Sequence, residues 1–179
     1  MNLKISVLLV LMIISNLCFA QETISINNQA TLQLPAGAVK YTDKKFIATL
    51  SETFSGPVLE ALTKHIYQAD GIIFRFVINT VVSHKNYVPD KKASLDAVFM
   101  EQDVSEDGKP QHQYESRIRV INGNEILVYG FKESGRYNFF CLSKDRKIVL
   151  MGELETKPEY STKTAIVFNN LLESIKFSK

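Results

Sequence analysis

The sequence predicts an α+β fold: an antiparallel β-sheet built on a C-terminal four-strand meander and a C-terminal helix, with further helices before it. Three observations carry this. From Tyr114 to Phe177, apolar runs of strand length alternate with short turn signals. A stripe at helical spacing follows that meander. Earlier, Ile72 to Val82 is a long run rich in β-branched and aromatic residues.

Residues 1–20 read as a secretory signal peptide. Lys4 supplies the positive charge, Ile5 to Ile14 is almost unbroken aliphatic, and Cys18-Phe19-Ala20 is a small-residue exit. Cleavage is expected after Ala20, leaving 21–179 as one domain, periplasmic or secreted, with no transmembrane span. The apolar run is short of the roughly 20 residues a spanning helix needs. Two alternatives stand beside this, an uncleaved anchor and a lipid-modified Cys18. The bulky Leu17 ahead of that cysteine argues against the second. The formal charge of +2 falls to +1 without Lys4, so there is no field to attract nucleic acid. The mature chain keeps one cysteine, Cys141, and so has no internal disulfide. The absence of an N-x-S/T sequon fits a bacterial envelope origin.

In order along the chain, Thr23 to Asn27 and Ala30 to Leu34 read as strands about an Asn27-Asn28-Gln29 turn, and Pro35-Ala36-Gly37 ends the second. Thr42 is the expected N-cap of a helix over Asp43 to Thr53, with Phe46, Ile47, Leu50 and Phe54 at helical spacing. Pro57 to Tyr67 suits a short helix with Pro57 in its first turn, or a strand at Lys64 to Tyr67. Asp70-Gly71 is a turn. Ile72 to Val82 carries Arg75 and Asn79 on alternate positions and reads as a central strand with both faces mostly covered. His84 to Pro89 is a loop, and Asp90 caps a helix through Met100 with Leu95, Val98 and Phe99 on one stripe. Asp103 to Gln113 is a solvated loop. The meander follows: Ser116 to Ile121, the Asn122-Gly123 turn, Glu125 to Phe131, Ser134-Gly135, Tyr137 to Leu142, Lys144-Asp145, and Lys147 to Leu154. Lys157-Pro158 breaks it. A helix from Ser161 or Thr162 to Ser174 then carries Phe168, Leu171, Leu172 and Ile175 on its sheet-facing stripe, and Lys176-Phe177 adds to a sheet edge.

No stretch has the spacing of a known catalytic or metal motif. His65, His84 and His112 are far apart and stand near no other ligand at metal spacing, so no metal or other cofactor is expected. Cys141 lies inside an apolar strand and reads as a buried, inert thiol. Asp103, Glu106 and Asp107 lack the alternation of a calcium loop. Arg117, Arg119 and Arg136, with Tyr137, are the candidate surface for a ligand or partner, against the plainer reading of a charged solvent face. Tyr129, Phe131, Tyr137, Phe139 and Phe140 read as cross-strand packing, with a ligand groove between sheet and helix as the alternative.

The meander, its strand Ile148-Val149-Leu150-Met151-Gly152-Glu153-Leu154, the closing Leu171-Leu172-Glu173-Ser174-Ile175-Lys176-Phe177, and the early Leu34-Pro35-Ala36-Gly37 together resemble the PsbP-like superfamily, which includes DcrB-type and Mog-type proteins. The resemblance implies an α/β/α sandwich and a non-catalytic accessory or binding role, and transfers no site residues. The helix at 43–53 departs from that pattern. The expected function is an exported, non-catalytic accessory or binding protein of the bacterial envelope with a protein or small-molecule partner there. The alternatives are a small-ligand carrier or an enzyme whose site is assembled from scattered residues, with His65 a further candidate, and a chaperone-like or assembly partner that uses an exposed sheet edge.

Overall fold

The structure, a computed structural model, describes residues 21–81, 83–102, 113–131, 134–156 and 161–178. The expected signal peptide, the 103–112 segment with its acidic cluster and His112, and the break at Lys157-Pro158 lie outside these residues.

Strands β1 (Glu22–Ile26) and β2 (Ala30–Leu34) form a hairpin. Asn27 and Asn28 take φ of 49° and 57°, the left-handed values that a two-residue turn of this hand needs. A two-residue strand, β3 (Val39–Lys40), precedes helices α1 (Lys44–Thr53) and α2 (Gly56–Lys64). The cap of α1 is Asp43, not Thr42: its carboxylate accepts the amides of Lys45 at 2.8 Å and Phe46 at 3.2 Å. A charged oxygen also suits the positive end of the helix dipole better than a hydroxyl. Both readings of 57–67 hold in part, since α2 hands over at His65 to strand β4 (Ile66–Ala69).

Strand β5 (Ile72–Thr80) is central and its faces are mostly covered, as expected, one more fully than the other. Phe74 and Phe76 are buried, while Ile73, Arg75 and Val77 are half-buried and Asn79 is exposed. Helix α3 (Tyr87–Gln102) starts three residues before Asp90 and takes Pro89 into its first turn, where a missing N–H costs nothing. Its packed stripe is correspondingly Val88, Leu95 and Phe99, and Val98 is left 48% exposed.

The meander is β6 (Tyr114–Ile121), β7 (Asn124–Phe131), β8 (Arg136–Leu142) and β9 (Ile148–Glu155). Helix α4 (Ser161–Ser174) and β10 (Lys176–Phe177) close the described chain. One seven-stranded antiparallel sheet runs β3-β4-β5-β9-β8-β7-β6, and a separate three-stranded sheet runs β1-β2-β10.

The main core fills the space between the large sheet on one side and α4 with the small sheet on the other. The α4 stripe behaves as its spacing predicts: Phe168, Leu171, Leu172 and Ile175 are each 3% exposed or less. Burying such side chains stabilises the fold by about 1.5–3 kcal/mol each. A smaller core of Val88, Leu127, Phe140, Leu142 and Val149 lies under α3 on the opposite face. The result is helices, sheet, then a mixed layer of helix and small sheet.

Candidate functional site

The site grows from strand alternation. In β5, Phe74, Phe76 and Ile78 point into the main core, so Arg75, Val77 and Asn79 must point to the α1–α3 face. In β9, Leu150 and Leu154 point to the main core, which leaves Met151, Glu153 and Glu155 beside Arg75. Register then lines up polar residues across the sheet. Arg75 is opposite Glu153, Glu153 opposite Asn138, Asn138 opposite Tyr129, and Tyr129 opposite Ser116. At ordinary strand spacing this polar row is about 19 Å long.

At one end, Arg75 Nη1 is 2.7 Å from Glu155 and 3.3 Å from Glu153. Arg136 Nη2 reaches Glu155 at 2.9 Å. The Arg75 guanidinium carbon lies 4.5 Å from the ring centre of Phe46 on α1, a cation–π contact. Its Nε is buried without a partner among the described residues. At the other end, Ser116 and Tyr114 both donate hydrogen bonds to Asp96 of α3, which also pairs with Lys92.

The middle of the row is open. A groove of about 790 Å³ lies over it, with Phe46 and Leu50 of α1 and Val58, Ala61 and Leu62 of α2 as apolar walls. Asn79, Asn138, Glu153 and Tyr129 line its floor. The amides of Asn79 and Asn138 make no side-chain hydrogen bond among the described residues. The volume falls in the range of small-molecule sites, which span roughly 300–1,000 Å³.

Two groups, one beside the groove and one on its floor, are shifted by their surroundings. Burial alone would raise the Glu155 carboxyl, but hydrogen bonds from Arg75 and Arg136 outweigh it and hold the group below its usual range. Burial, with the negative Glu153 nearby, pushes the Tyr129 phenol up, so it stays a donor. Tyr129 on the floor is therefore a fixed donor, and Glu155 beside the groove a fixed acceptor. Neither group is poised to exchange a proton near neutrality, as a general acid or base would be. Among the described residues, no group of three or more His, Cys, Asp or Glu could hold a metal ion.

The sequence-predicted surface is divided by the sheet. Arg117, Arg119 and Tyr137 belong to the α4 side and Arg136 to the groove side. Arg117 is exposed, Arg119 donates to Asn169 of α4 at 2.7 Å, and the Tyr137 ring packs on Phe168 at 5.3 Å. Arg117, Arg136 and Tyr137 border a second hollow of about 640 Å³ at the sheet edge. Of the predicted packing aromatics, Phe139 and Phe140 are buried, while Tyr129 and Phe131 pack on Phe99 of α3. Cys141 is fully buried and its thiol is pushed up to about 12 by that burial. His65 is buried at the end of α2 and shares a 3.0 Å hydrogen bond with Asn27. His84 pairs with Asp90 at 3.5 Å on the surface.

Sequence reasoning noticed Arg75 and Asn79 but missed Asn138, Glu153 and the row they form. The one available signal was a polar residue in the middle of each of two apolar strands. Only the register shows that these residues are neighbours.

These layers define a PsbP-like fold. The chain is similar to the solution structure of cyanobacterial PsbP (CyanoP) from Synechocystis sp. PCC 6803, at 12% identity and a TM-score of 0.53, covering 89% of this chain and 94% of that one. It is also similar to the Ran-binding protein Mog1p of Saccharomyces cerevisiae, at 6% identity and a TM-score of 0.46, covering 88% and 95%. No protein-family model matches the sequence, and no curated protein matches it. Among the described residues, no helix is long and apolar enough to cross a membrane.

Proposed function

We propose that this chain is an exported, non-catalytic binding protein of the cell envelope, and that the groove beneath α1 and α2 holds its ligand. The observation that supports this best is the polar row lying open between apolar walls, its carboxylate Glu153 paired with Arg75 at 3.3 Å. Fixed charges and free amides recognise a ligand, whereas a catalytic carboxyl needs a pKa tuned toward the working pH. The groove's chemistry suits a small amphipathic molecule. Its apolar body would lie on Leu50, Val58, Ala61 and Leu62, and its polar end would bond Asn79 and Asn138. Export rests on the leader at 1–20, and the likeness to CyanoP supports the fold alone.

Native mass spectrometry of the protein purified from its own envelope tests this. The expected mature mass begins at Gln21, with an additional bound mass. Ala61→Trp, which places an indole in the groove from an exposed helix position, should remove the bound mass and leave the fold intact. An Ala61→Trp protein that carries the same bound mass as the wild type would sink the groove as the site.

A further inference from the structure

The two edges of the seven-stranded sheet are unlike each other. One edge is β3, only two residues long. The other is β6, eight residues long. All eight residues of β6 pair with β7 in unbroken register, from Tyr114 opposite Phe131 to Ile121 opposite Asn124. Natural edge strands are ordinarily made unattractive by bulges, prolines, inward charges or shortness. β6 has no proline, no bulge and no residue at positive φ. Among the described residues, nothing pairs with its outer side.

Turn geometry says which backbone groups are free. The two-residue loop Asn122-Gly123, with φ of 54° and 79°, makes Ile121 and Asn124 a hydrogen-bonded pair. Alternation along an antiparallel ladder then turns the N–H and C=O groups of Arg119 and Arg117 toward β7. Those of Ser116, Ile118 and Val120 point outward. The free backbone groups thus sit on the residues whose apolar side chains are exposed, Ile118 at 38% and Val120 at 70%. On the opposite face of the same strand stand Glu115, Arg117 and Arg119, two basic groups to one acidic. Arg119 is held by Asn169, and Arg117 has no partner among the described residues.

We infer that β6 is a docking edge for an extended segment of a partner protein in which acidic and apolar residues alternate. The segment adds as an eighth strand and bonds the outward groups of Ser116, Ile118 and Val120. Its apolar residues cover Ile118 and Val120, and its acidic residues face Arg117 and Arg119. Directly opposed opposite charges and apolar pairs stabilise such a ladder, and like charges destabilise it. A second copy of β6 fits less well: centring a two-fold on Ile118 opposes Arg117 to Arg119, centring it on Arg117 opposes that residue to itself, and centring it on Ser116 sets Glu115 against Arg117 but ends the ladder short of the exposed Val120.

The test uses the purified chain and two capped octapeptides, one alternating Glu with Val and the other Lys with Val. Fluorescence anisotropy reads affinity, and amide exchange reads protection. The Glu/Val peptide should bind at least tenfold more tightly than the Lys/Val peptide. It should protect the amides of Ser116, Ile118 and Val120. Ile118→Pro removes one outward N–H without touching the β6–β7 ladder, and should abolish binding. Arg117→Glu changes only an exposed side chain and should reverse the preference between the peptides. The inference is overturned by no Glu/Val binding at millimolar concentration, by equal affinity for both peptides, or by an unchanged preference in Arg117→Glu. It is equally overturned if the chain forms a dimer that Ile118→Pro abolishes while no peptide binds.

Discussion

At the scale of single residues, Gly152 shows how tightly the main core is fitted. It lies between Phe76 and Phe139 in register, on the central strand β9. A Cβ there would stand 2.2 Å from Cε1 and 2.4 Å from Cζ of Phe139, and 3.0 Å from Phe76 Cδ1. Phe139 cannot swing aside easily, because its ring is also packed against Phe76 and Phe168. Gly152→Ala is therefore expected to lower stability by about 1–3 kcal/mol through overpacking, despite the better strand propensity of alanine. Urea unfolding measures this, and an unchanged midpoint would show that the ring has room to move. Nothing in the string Met151-Gly152-Glu153 signals the need for glycine, because the demand comes from an aromatic ring one strand away. The Asn27-Asn28 and Asn122-Gly123 turns were legible for the opposite reason: their demand is a local positive φ.

At the scale of elements, α1 and α2 differ from the rest of the structure. Neither contains a buried residue. Each is amphipathic and lays its apolar side over the groove rather than into a closed core. Their hold on the body of the protein is correspondingly light, and light packing lowers the free energy of local opening. Amides of α1 and α2 are expected to exchange with solvent well before those of β5 and β9, as hydrogen-exchange mass spectrometry would show. Protection equal to the central strands would mean that these two helices open only on global unfolding. The elements themselves were largely legible, because hydrophobic period and turn residues are local signals. The meander and the α4 stripe needed little correction. The start of α3 was misplaced because Pro89 was read as loop, although a first helical turn accepts proline. The mostly covered faces of β5 were legible from its apolar run, and Arg75 and Asn79 mark the less covered one.

At the scale of the whole molecule, His65 joins the two sheets. Its Nε2 meets Asn27 in the β1–β2 turn, while its backbone carbonyl accepts from Phe76 of β5 at 3.0 Å. Burial, then the charges of Lys40 and Lys64, lower its pKa from 6.5 to about 4. The folded protein thus binds fewer protons at this site than the unfolded chain between those two values, so stability rises with pH across that window. Above about 6.5 the ring is neutral in both states and the site adds no pH dependence. As pH falls from 6.5 toward 4, the unfolded state gains a proton that the folded state resists, and stability is lost. His65→Gln removes this titration and should flatten the thermal-stability profile between pH 6.5 and 4 relative to wild type. Parallel profiles for the two proteins would rule the joint out as the cause. No sequence signal joins His65 to Asn27, thirty-eight positions apart. Long-range register of this kind is what the candidate site also depends on, so the site was less legible than the fold.

The unequal edges of the large sheet also set a valence. Head-to-tail growth of sheets into fibres needs two accommodating edges on every molecule, and a two-residue β3 offers almost no ladder to extend. Among the described residues, whatever strand adds at β6 finds no second long edge on the same sheet, so that sheet by itself does not propagate head to tail.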